Sequence, residues 1–223
     1  METSAFARGL AHRRLGRAYG RAGDWPRAIF HTQRAIEIAE EIGDRPGVAH
    51  SYRILSSLHE RSGDEDQAMA AAQESYDIYS DIGNPVWTAH ALSVLGECHS
   101  RANAHGSALD CWNRALALHR EHQHESGEAE TLAALGLWLQ DRGEHAEASS
   151  LLEQAAVIYA RLTDTYNEAD VLVGLGESAR ALEQPAAAID AWTQALAIYV
   201  QHGREDDAEA VRRRVRELEG PSS

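Results

Sequence analysis

The sequence contains no lysine and only two cysteines. All 21 basic residues are therefore arginines, and 35 acidic residues outnumber them, which gives a net charge of −14 at pH 7. This excess of negative charge argues against general binding of nucleic acid, whose phosphates attract basic surfaces. We expect Cys98 and Cys111 to be buried free thiols in a reducing cytoplasm, with a disulfide or redox switch as the alternative.

Several functional segments are missing as well. No run of about 18 apolar residues is present, so no membrane-spanning helix is predicted. The absence of a signal region at the start favours a cytoplasmic location. No glycine-rich phosphate loop, nucleophile elbow or paired-cysteine metal motif occurs. The best metal candidates are His119, His122 and His124, with His99 or His105 as a further ligand. We expect these to be solvated histidines near a turn instead. We therefore predict no enzyme activity, no catalytic residues, no metal and no cofactor.

What the chain does contain is a pattern that recurs every 40 residues, five times. Its first element is a leucine followed by a small residue: Leu15-Gly16, Leu55-Ser56, Leu95-Gly96, Leu135-Gly136 and Leu175-Gly176. Two further columns are small: Ala28, Ala68, Ala108, Ala148 and Ala188, then Ala35, Ser75, Ala115, Ala155 and Ala195. Small side chains at fixed positions let two helices approach closely where they cross. A period of this length predicts a solenoid of stacked units.

Turn-forming residues divide each repeat into two helices. Those within a repeat are Gly23-Asp24, Gly63-Asp64 and Gly143-Glu144, with Asn103 and Glu183 in place of glycine in the other two repeats. Those between repeats are Gly43-Asp44, Gly83-Asn84 and Thr163-Asp164. The Asp and Asn side chains can accept bonds from the free amides of the next helix. Apolar spacings of three and four predict five amphipathic hairpins, over about 4–43, 44–83, 84–123, 124–163 and 164–203.

Residues 205–219 are predicted to form an eleventh helix, which is highly charged. Its only apolar stripe is Ala208, Val211, Val215 and Leu218, which suits a cap over the last hairpin. The final residues, 220–223, are expected to be a frayed tail. Because repeats contact only their neighbours, residues 1–223 are predicted to form a single array.

The pattern resembles the tetratricopeptide repeat in a longer, 40-residue form, over roughly residues 4–202. The matching residues are Leu15, Gly16, Gly23, Ala28 and Ala35 with their successors, and the family's second-helix aromatic is present as Trp112 and Trp192. Thr32, Ala72 and Leu152 depart from that aromatic. The resemblance implies an all-α solenoid, a right-handed superhelix of helical hairpins. The Ala- and Arg-rich repeats look like the C-terminal arrays of actinomycete antibiotic-regulatory transcription factors and related signalling ATPases.

In that family the first helix of each hairpin lines a concave groove. The groove-facing positions correspond here to Leu10, His50, His90, Glu130 and Asp170; Arg13, Arg53, Ser93, Ala133 and Val173; Arg17, Ser57, Glu97, Leu137 and Glu177; and Arg21, Arg61, Arg101, Asp141 and Ala181. The first three repeats thus offer a basic groove, and the last two an acidic, partly apolar one. The candidate ligand-binding residues are Arg13, Arg17, Arg21, His50, Arg53, Ser57, Arg61, His90, Ser93, Glu97 and Arg101.

The charge distribution favours an acidic partner. Residues 1–34 carry seven Arg against Glu2 and Asp24, a net charge of +5, which leaves −19 on the rest. Arginine forks bind carboxylate or phosphate through two bonds, so we predict a protein or peptide segment that is acidic at the N-terminal half of the groove. The alternative is that these charges only solvate the inner face and pair with each other between adjacent helices.

Three functions stay open at this point. We prefer the sensor or interaction region of a larger bacterial regulator, of which this chain would be a part. The others are a stand-alone scaffold protein and an accessory protein of a biosynthetic pathway that holds a small molecule. No direct nucleic-acid or membrane partner is expected, and a homo-oligomer is left open.

Overall fold

The computed structural model describes residues 2–220, which form eleven α-helices and, within that range, no strand. The helices are α1 (Glu2–Arg21), α2 (Trp25–Glu41), α3 (Arg45–Ser62), α4 (Glu65–Ile82), α5 (Pro85–Arg101), α6 (His105–Glu121), α7 (Glu125–Asp141), α8 (His145–Leu162), α9 (Thr165–Ala181), α10 (Pro185–Gln201) and α11 (Glu205–Glu219). Residues 221–223 of the predicted frayed tail lie outside the described range. None of the described helices combines the length and hydropathy that crossing a bilayer demands. The predicted all-α solenoid of five hairpins and a final helix is confirmed.

Every turn between helices contains one residue with a positive φ, and these residues recur every 20 positions. Six are glycines: Gly23, Gly43, Gly63, Gly83, Gly143 and Gly203, with φ between 68° and 85°. The other four are Asn103, Gln123, Thr163 and Glu183, with φ between 52° and 58°. Asn103 and Glu183 therefore keep the phase of the turn without glycine, as predicted, by adopting the left-handed conformation themselves.

The residue after each left-handed position begins the next helix, often as a side-chain cap. Asp24, Asp44, Asp64, Asn84, His124 and Asp164 each accept a hydrogen bond from the backbone amide three residues further on. These bonds satisfy amides that have no partner within the helix. The alternation of left-handed residue and cap explains why helix boundaries repeat so regularly along the chain.

The small-residue columns lie at the helix crossings. All ten positions of the two columns that begin with Ala28 and Ala35 are at most 2% exposed. A Cβ atom on Gly96 would lie 2.6 Å from Trp112 Nε1, and one on Gly136 would lie 2.8 Å from Leu152 Cγ. In the second repeat Ser56 and Ala72 occupy these two positions, and both are 1% exposed. These two glycines thus face large side chains, whereas the serine is matched with an alanine.

The helices form two compact units. The first unit runs to His122 and contains α1–α6, in which each helix packs on the next and α1 also contacts α3. The second unit begins at Gln123 and contains α7–α11, and here α7 also contacts α9. Ala208 and Val211 of α11 are buried in the core of the second unit, so α11 covers the last hairpin as predicted. The single array of residues 1–223 stays a prediction.

Both cysteines are buried and free, Cys98 on α5 and Cys111 on α6. Burial raises the pKa of both thiols. At neutral pH they are therefore protonated and weakly nucleophilic. The prediction of buried free thiols is confirmed.

Candidate functional site

The eleven predicted groove residues lie on α1, α3 and α5, the first helices of the three hairpins in the first unit. They follow helical spacings of three and four, so the members on one helix share a face. Contact between α1 and α3 brings the arginine rows of these two helices to one surface. We call the surface formed by Arg13, Arg17, Arg21, Arg53 and Arg61 the arginine face.

A hollow of about 210 Å³ lies on the arginine face, and we call it the arginine hollow. Its lining residues are Arg17, Gly20, Arg21, Arg53, Ile54, Ser57, Leu58 and Arg61. A Cβ atom on Gly20 would lie 2.7 Å from Leu58 Cδ2. The glycine therefore allows the close approach of α1 and α3 that places their arginines around one hollow.

A second hollow, of about 290 Å³, lies beside His50, and we call it the aromatic hollow. It is lined by Phe6, Arg13, Asp44, Pro46, Gly47, His50, Tyr79, Ile82, Asn84 and Trp87. The Trp87 ring stacks on Tyr79 with 5.8 Å between ring centroids, and His50 meets Trp87 edge-on at 5.8 Å. The Arg53 guanidinium lies 5.8 Å from the Trp87 ring centroid. Arg53 therefore joins the aromatic hollow to the arginine hollow.

Most arginines of the arginine face have no acidic partner. Within residues 4–220, no carboxylate oxygen lies within 4.0 Å of Arg13, Arg17, Arg21 or Arg61. Arg8 and Arg14 of α1 share this property but line neither hollow. By contrast, the ion pairs of the first unit include Arg27 with Asp24, Arg34 with Glu37, Arg45 with Asp81 and Arg114 with Asp110.

Arg101 behaves differently from the arginine face. Its Nη1 lies 2.7 Å from Glu60 Oε1, on the preceding first helix. Charge pairing between adjacent helices, the alternative considered from the sequence, therefore describes Arg101. It does not describe the four arginines of α1 and α3 named above.

His50 is surrounded by cationic groups and is half-buried. Burial lowers its pKa to about 4, with further lowering by Arg53, Arg13 and Arg17. Burial raises the pKa of the neighbouring Tyr79 to about 12, against the opposing effect of Arg53 and Arg13. Both side chains are neutral at physiological pH. The positive charge of this surface therefore comes from the arginines, and His50 contributes an uncharged ring.

We expect His50 to make folding of the first unit pH-dependent. The folded state keeps His50 neutral down to about pH 4, whereas the unfolded chain binds the proton near pH 6.5. The contribution of His50 to the free energy of unfolding is therefore fully present above pH 6.5 and is lost as the pH falls from 6.5 towards 4. Because solvent screens the partly exposed ring, we expect the free energy of unfolding to fall by only about 1–2 kcal/mol.

The measurement is the free energy of unfolding of the wild type and of His50→Gln at neutral pH and near pH 4.5. Carboxylate titration affects both proteins, so the difference between them isolates His50. The wild type should lose more stability on acidification than the variant. Equal losses would show that His50 titrates normally in the folded protein.

The α5 positions contribute little positive charge to the site. The His90 ring lies 5.2 Å from that of Trp87 and 4.9 Å from that of His119. The hydroxyl of Ser93 donates to the carbonyl of Ala89 at 3.2 Å, and Glu97 is half-buried. The candidate residues that the structure brings together thus lie mainly on α1 and α3, with Trp87 and His90 on the α5 side.

One expectation about the histidines was wrong. His119 is fully buried rather than solvated, because α6 directs it towards α5, where its ring meets that of His90. His124 begins α7, and its Nδ1 accepts a hydrogen bond from the Gly127 amide at 3.1 Å. His122 is exposed, as expected.

A column of ring-bearing residues on the second helices was not predicted from the sequence. The column is Tyr79, His119, Tyr159 and Tyr199, all at most 4% exposed. Its members lie beside the first groove column of their own hairpin: Tyr199 Oη donates to Asp170 Oδ1 at 2.8 Å, and His119 meets His90. Their regular 40-residue spacing was the signal that could have identified them.

In the second unit, two acidic groove residues, Asp170 and Glu177, form ion pairs with arginines of the C-terminal region. Arg204 Nη1 lies 3.0 Å from Asp170 Oδ1, and Arg214 Nε lies 2.7 Å from Glu177 Oε1. A hollow of about 400 Å³ adjoins the second pair and is lined by Glu177, Arg180, Trp192, Arg214, Glu217 and Leu218. These carboxylates have partners within the protein, in contrast to the arginine face.

The profile of the tetratricopeptide repeat family matches residues 8–81 and 127–201, which is more than half of the sequence. The chain belongs to the tetratricopeptide repeat family, and its fold is that of a protein–protein interaction module. The search of the curated proteins finds no match.

Solved structures with the same architecture come from several kinds of protein. BtubC from P. vanneervenii matches with a TM-score of 0.73 and 18% identity over 91% of both chains. A signal transduction ATPase with numerous domains from Pyrococcus horikoshii, which has a tetratricopeptide repeat sensor, gives 0.68 and 15% over 95% of this chain but 36% of that chain. A Rap protein complexed with competence and sporulation factor gives 0.66 and 15% over 93% and 74%. At these identities the similarity establishes the fold alone.

Proposed function

We propose that the chain binds an acidic segment of a partner protein on the arginine face, as the cytoplasmic sensor or interaction region of a larger bacterial regulator. The observation that carries this proposal is the absence of acidic partners, among the described residues, at Arg13, Arg17, Arg21 and Arg61. Solenoids of this kind present extended surfaces for binding. The regulator context draws on the resemblance to a protein with a tetratricopeptide repeat sensor.

Charge and shape both favour an acidic partner segment at this surface. Grouped cations repel each other, so a bound anion relieves repulsion and gains charge-assisted hydrogen bonds at the same time. The aromatic hollow next to the arginines offers an apolar contact, because Trp87 is 36% exposed and Phe6 is 49% exposed. A segment in which acidic and aromatic side chains alternate therefore suits both hollows together.

Hollow size favours a protein segment over a small molecule. The arginine and aromatic hollows measure about 210 and 290 Å³, whereas sites for small molecules commonly occupy roughly 300–1,000 Å³. Two small adjacent hollows suit successive side chains of an extended segment. At these two hollows a protein partner, which the regulator and scaffold hypotheses share, is therefore favoured over a bound metabolite.

The test uses a fluorescein-labelled peptide of alternating glutamate and phenylalanine, with a lysine–phenylalanine peptide as its counterpart. Binding is followed by fluorescence anisotropy at low and high salt. We expect the acidic peptide alone to bind, and its affinity to fall with salt, because exposed charges are screened over about 8 Å at physiological ionic strength. The double reversal Arg13→Glu with Arg53→Glu should weaken binding at least about tenfold, mainly through slower association.

The matched control is Arg8→Glu with Arg14→Glu, which makes the same change in net charge away from both hollows. It should reduce affinity by less than about threefold. Circular dichroism checks that each variant is folded, and Arg13→Gln with Arg17→Gln repeats the test if reversal at the half-buried Arg53 disturbs folding. Recognition by the arginine face would be refuted if the affinity for the acidic peptide were unchanged by salt and by the double reversal. An equal loss of affinity in the control variant would refute it as well.

A further inference from the structure

We propose that the arginine hollow recognises a phosphoryl group, so that the partner segment binds when one of its side chains is phosphorylated. This inference rests on the proposed function and names the chemistry that the same surface prefers. Three features of the hollow support it: the composition of its lining, its apolar floor, and the contacts that position its arginines. Those arginines are Arg17, Arg21, Arg53 and Arg61.

The lining of the arginine hollow contains four arginines and no acidic residue. The aromatic hollow has Asp44 beside Arg13, and the hollow of the second unit has Glu177 and Glu217 beside its arginines. Of the hollows described in residues 4–220, the arginine hollow thus concentrates positive charge without a compensating carboxylate in its wall. Such a concentration suits an anion that carries more than one charge.

A phosphate monoester matches this hollow better than a carboxylate does. A phosphorylated side chain carries about −1.5 to −2 charges and three acceptor oxygens at pH 7, whereas a carboxylate carries one charge on two oxygens. A single arginine fork can satisfy a carboxylate. Arg17 and Arg21 on α1, with Arg61 on α3, supply three forks that can bond a tetrahedral group from two sides.

The floor of the hollow strengthens these bonds. Ile54 and Leu58 are 8% and 5% exposed, and Gly20 completes an apolar base under the guanidinium groups. Charges interact more strongly beside an apolar floor than in bulk water. A hollow of about 210 Å³ has room for a phosphoryl group and the end of the side chain that bears it.

Two of the four arginines are held in place by aromatic rings. The Arg61 guanidinium lies 5.6 Å from the Trp25 ring centroid, and that of Arg53 lies 5.8 Å from that of Trp87. Such contacts reduce the conformational freedom that these long side chains lose when an anion binds. The hollow is therefore partly preorganised, which distinguishes it from a row of solvated surface arginines.

The experiment compares three labelled peptides with the alternating acidic and aromatic sequence, which differ only at a central serine, glutamate or phosphoserine. We expect the phosphoserine peptide to bind the full chain at least about tenfold more tightly than the glutamate peptide. The double variant Arg17→Gln with Arg61→Gln should reduce this preference to less than about twofold. The double variant Arg8→Gln with Arg14→Gln, which removes the same charge elsewhere on α1, should retain the preference.

Inorganic phosphate serves as a competitor. It shows whether the hollow recognises a phosphorylated side chain of a partner or free phosphate. We expect it to displace the phosphoserine peptide only at concentrations far above the affinity of that peptide. Equal binding of the phosphoserine and glutamate peptides overturns the phosphoryl inference and leaves the proposed function standing. Inorganic phosphate that binds as tightly as the peptide overturns the assignment to a partner segment. Failure of all three peptides to bind overturns the proposed function, and this inference with it.

Discussion

Replacing Trp192 with alanine is expected to lower the free energy of unfolding of the second unit by about 3–5 kcal/mol. Trp192 is fully buried in the core that joins α9, α10 and α11. Its Nε1 donates to the carbonyl oxygen of Val173 at 3.3 Å. The truncation removes the largest apolar surface of this core, leaves a cavity, and leaves that carbonyl without its indole partner.

The measurement is unfolding by denaturant, followed by circular dichroism, with Val200→Ala as the control. Val200 lies on the same helix, α10, but is 46% exposed, so its truncation should change stability by no more than about 0.5 kcal/mol. A similar loss in the two variants would contradict the central position of Trp192 in this core.

The helical architecture is predictable because its determinants are local. Each turn needs one residue that tolerates a left-handed backbone, and each helix start favours a side chain that accepts amide hydrogen bonds. Gly63 and Asp64 fulfil both needs within two adjacent positions. Where one determinant is weak, as at Glu183, the packed helices on either side hold the turn in place.

The composition of the site is less predictable, because it depends on which side chains meet across helices. Spacing alone assigns Arg61 and Arg101 to the same column, since they lie 40 residues apart. In the structure Arg101 reaches Glu60 of the preceding repeat, whereas Arg61 lies over the Trp25 ring. Which arginine finds a carboxylate depends on helix approach and side-chain conformation, and neither is visible in a 40-residue period.

The charge state of His50 illustrates the same limit. The sequence places His50 among the arginines of a basic groove. Its environment includes Tyr79 and Trp87, from α4 and α5, and burial beside these rings with the arginines keeps it neutral. Burial of this kind arises from three helices together, so no single stretch of sequence predicts it.

Replacing Gly96 with leucine is expected to destabilise the first unit by about 3 kcal/mol or more, at the upper end of the cost of overpacking. The three atoms nearest to a Cβ at this position belong to the Trp112 indole, at 2.6–2.8 Å. Trp112 is 2% exposed and has no room to withdraw. Leucine favours a helix over glycine by up to about 1 kcal/mol, which is too little to offset this clash.

The control for this prediction is Gly106→Leu, the same substitution in the other helix of the same hairpin. A Cβ atom at Gly106 meets nothing within 4 Å, and the position is exposed, so stability should be unchanged or slightly higher. A double-mutant cycle with Trp112→Ala tests the cause. Gly96→Leu should cost less in that background, with a coupling of about 0.5–3 kcal/mol, because the second repeat already combines Ser56 with Ala72 at these positions. Strict additivity would place the origin of the destabilisation outside the contact between Gly96 and Trp112.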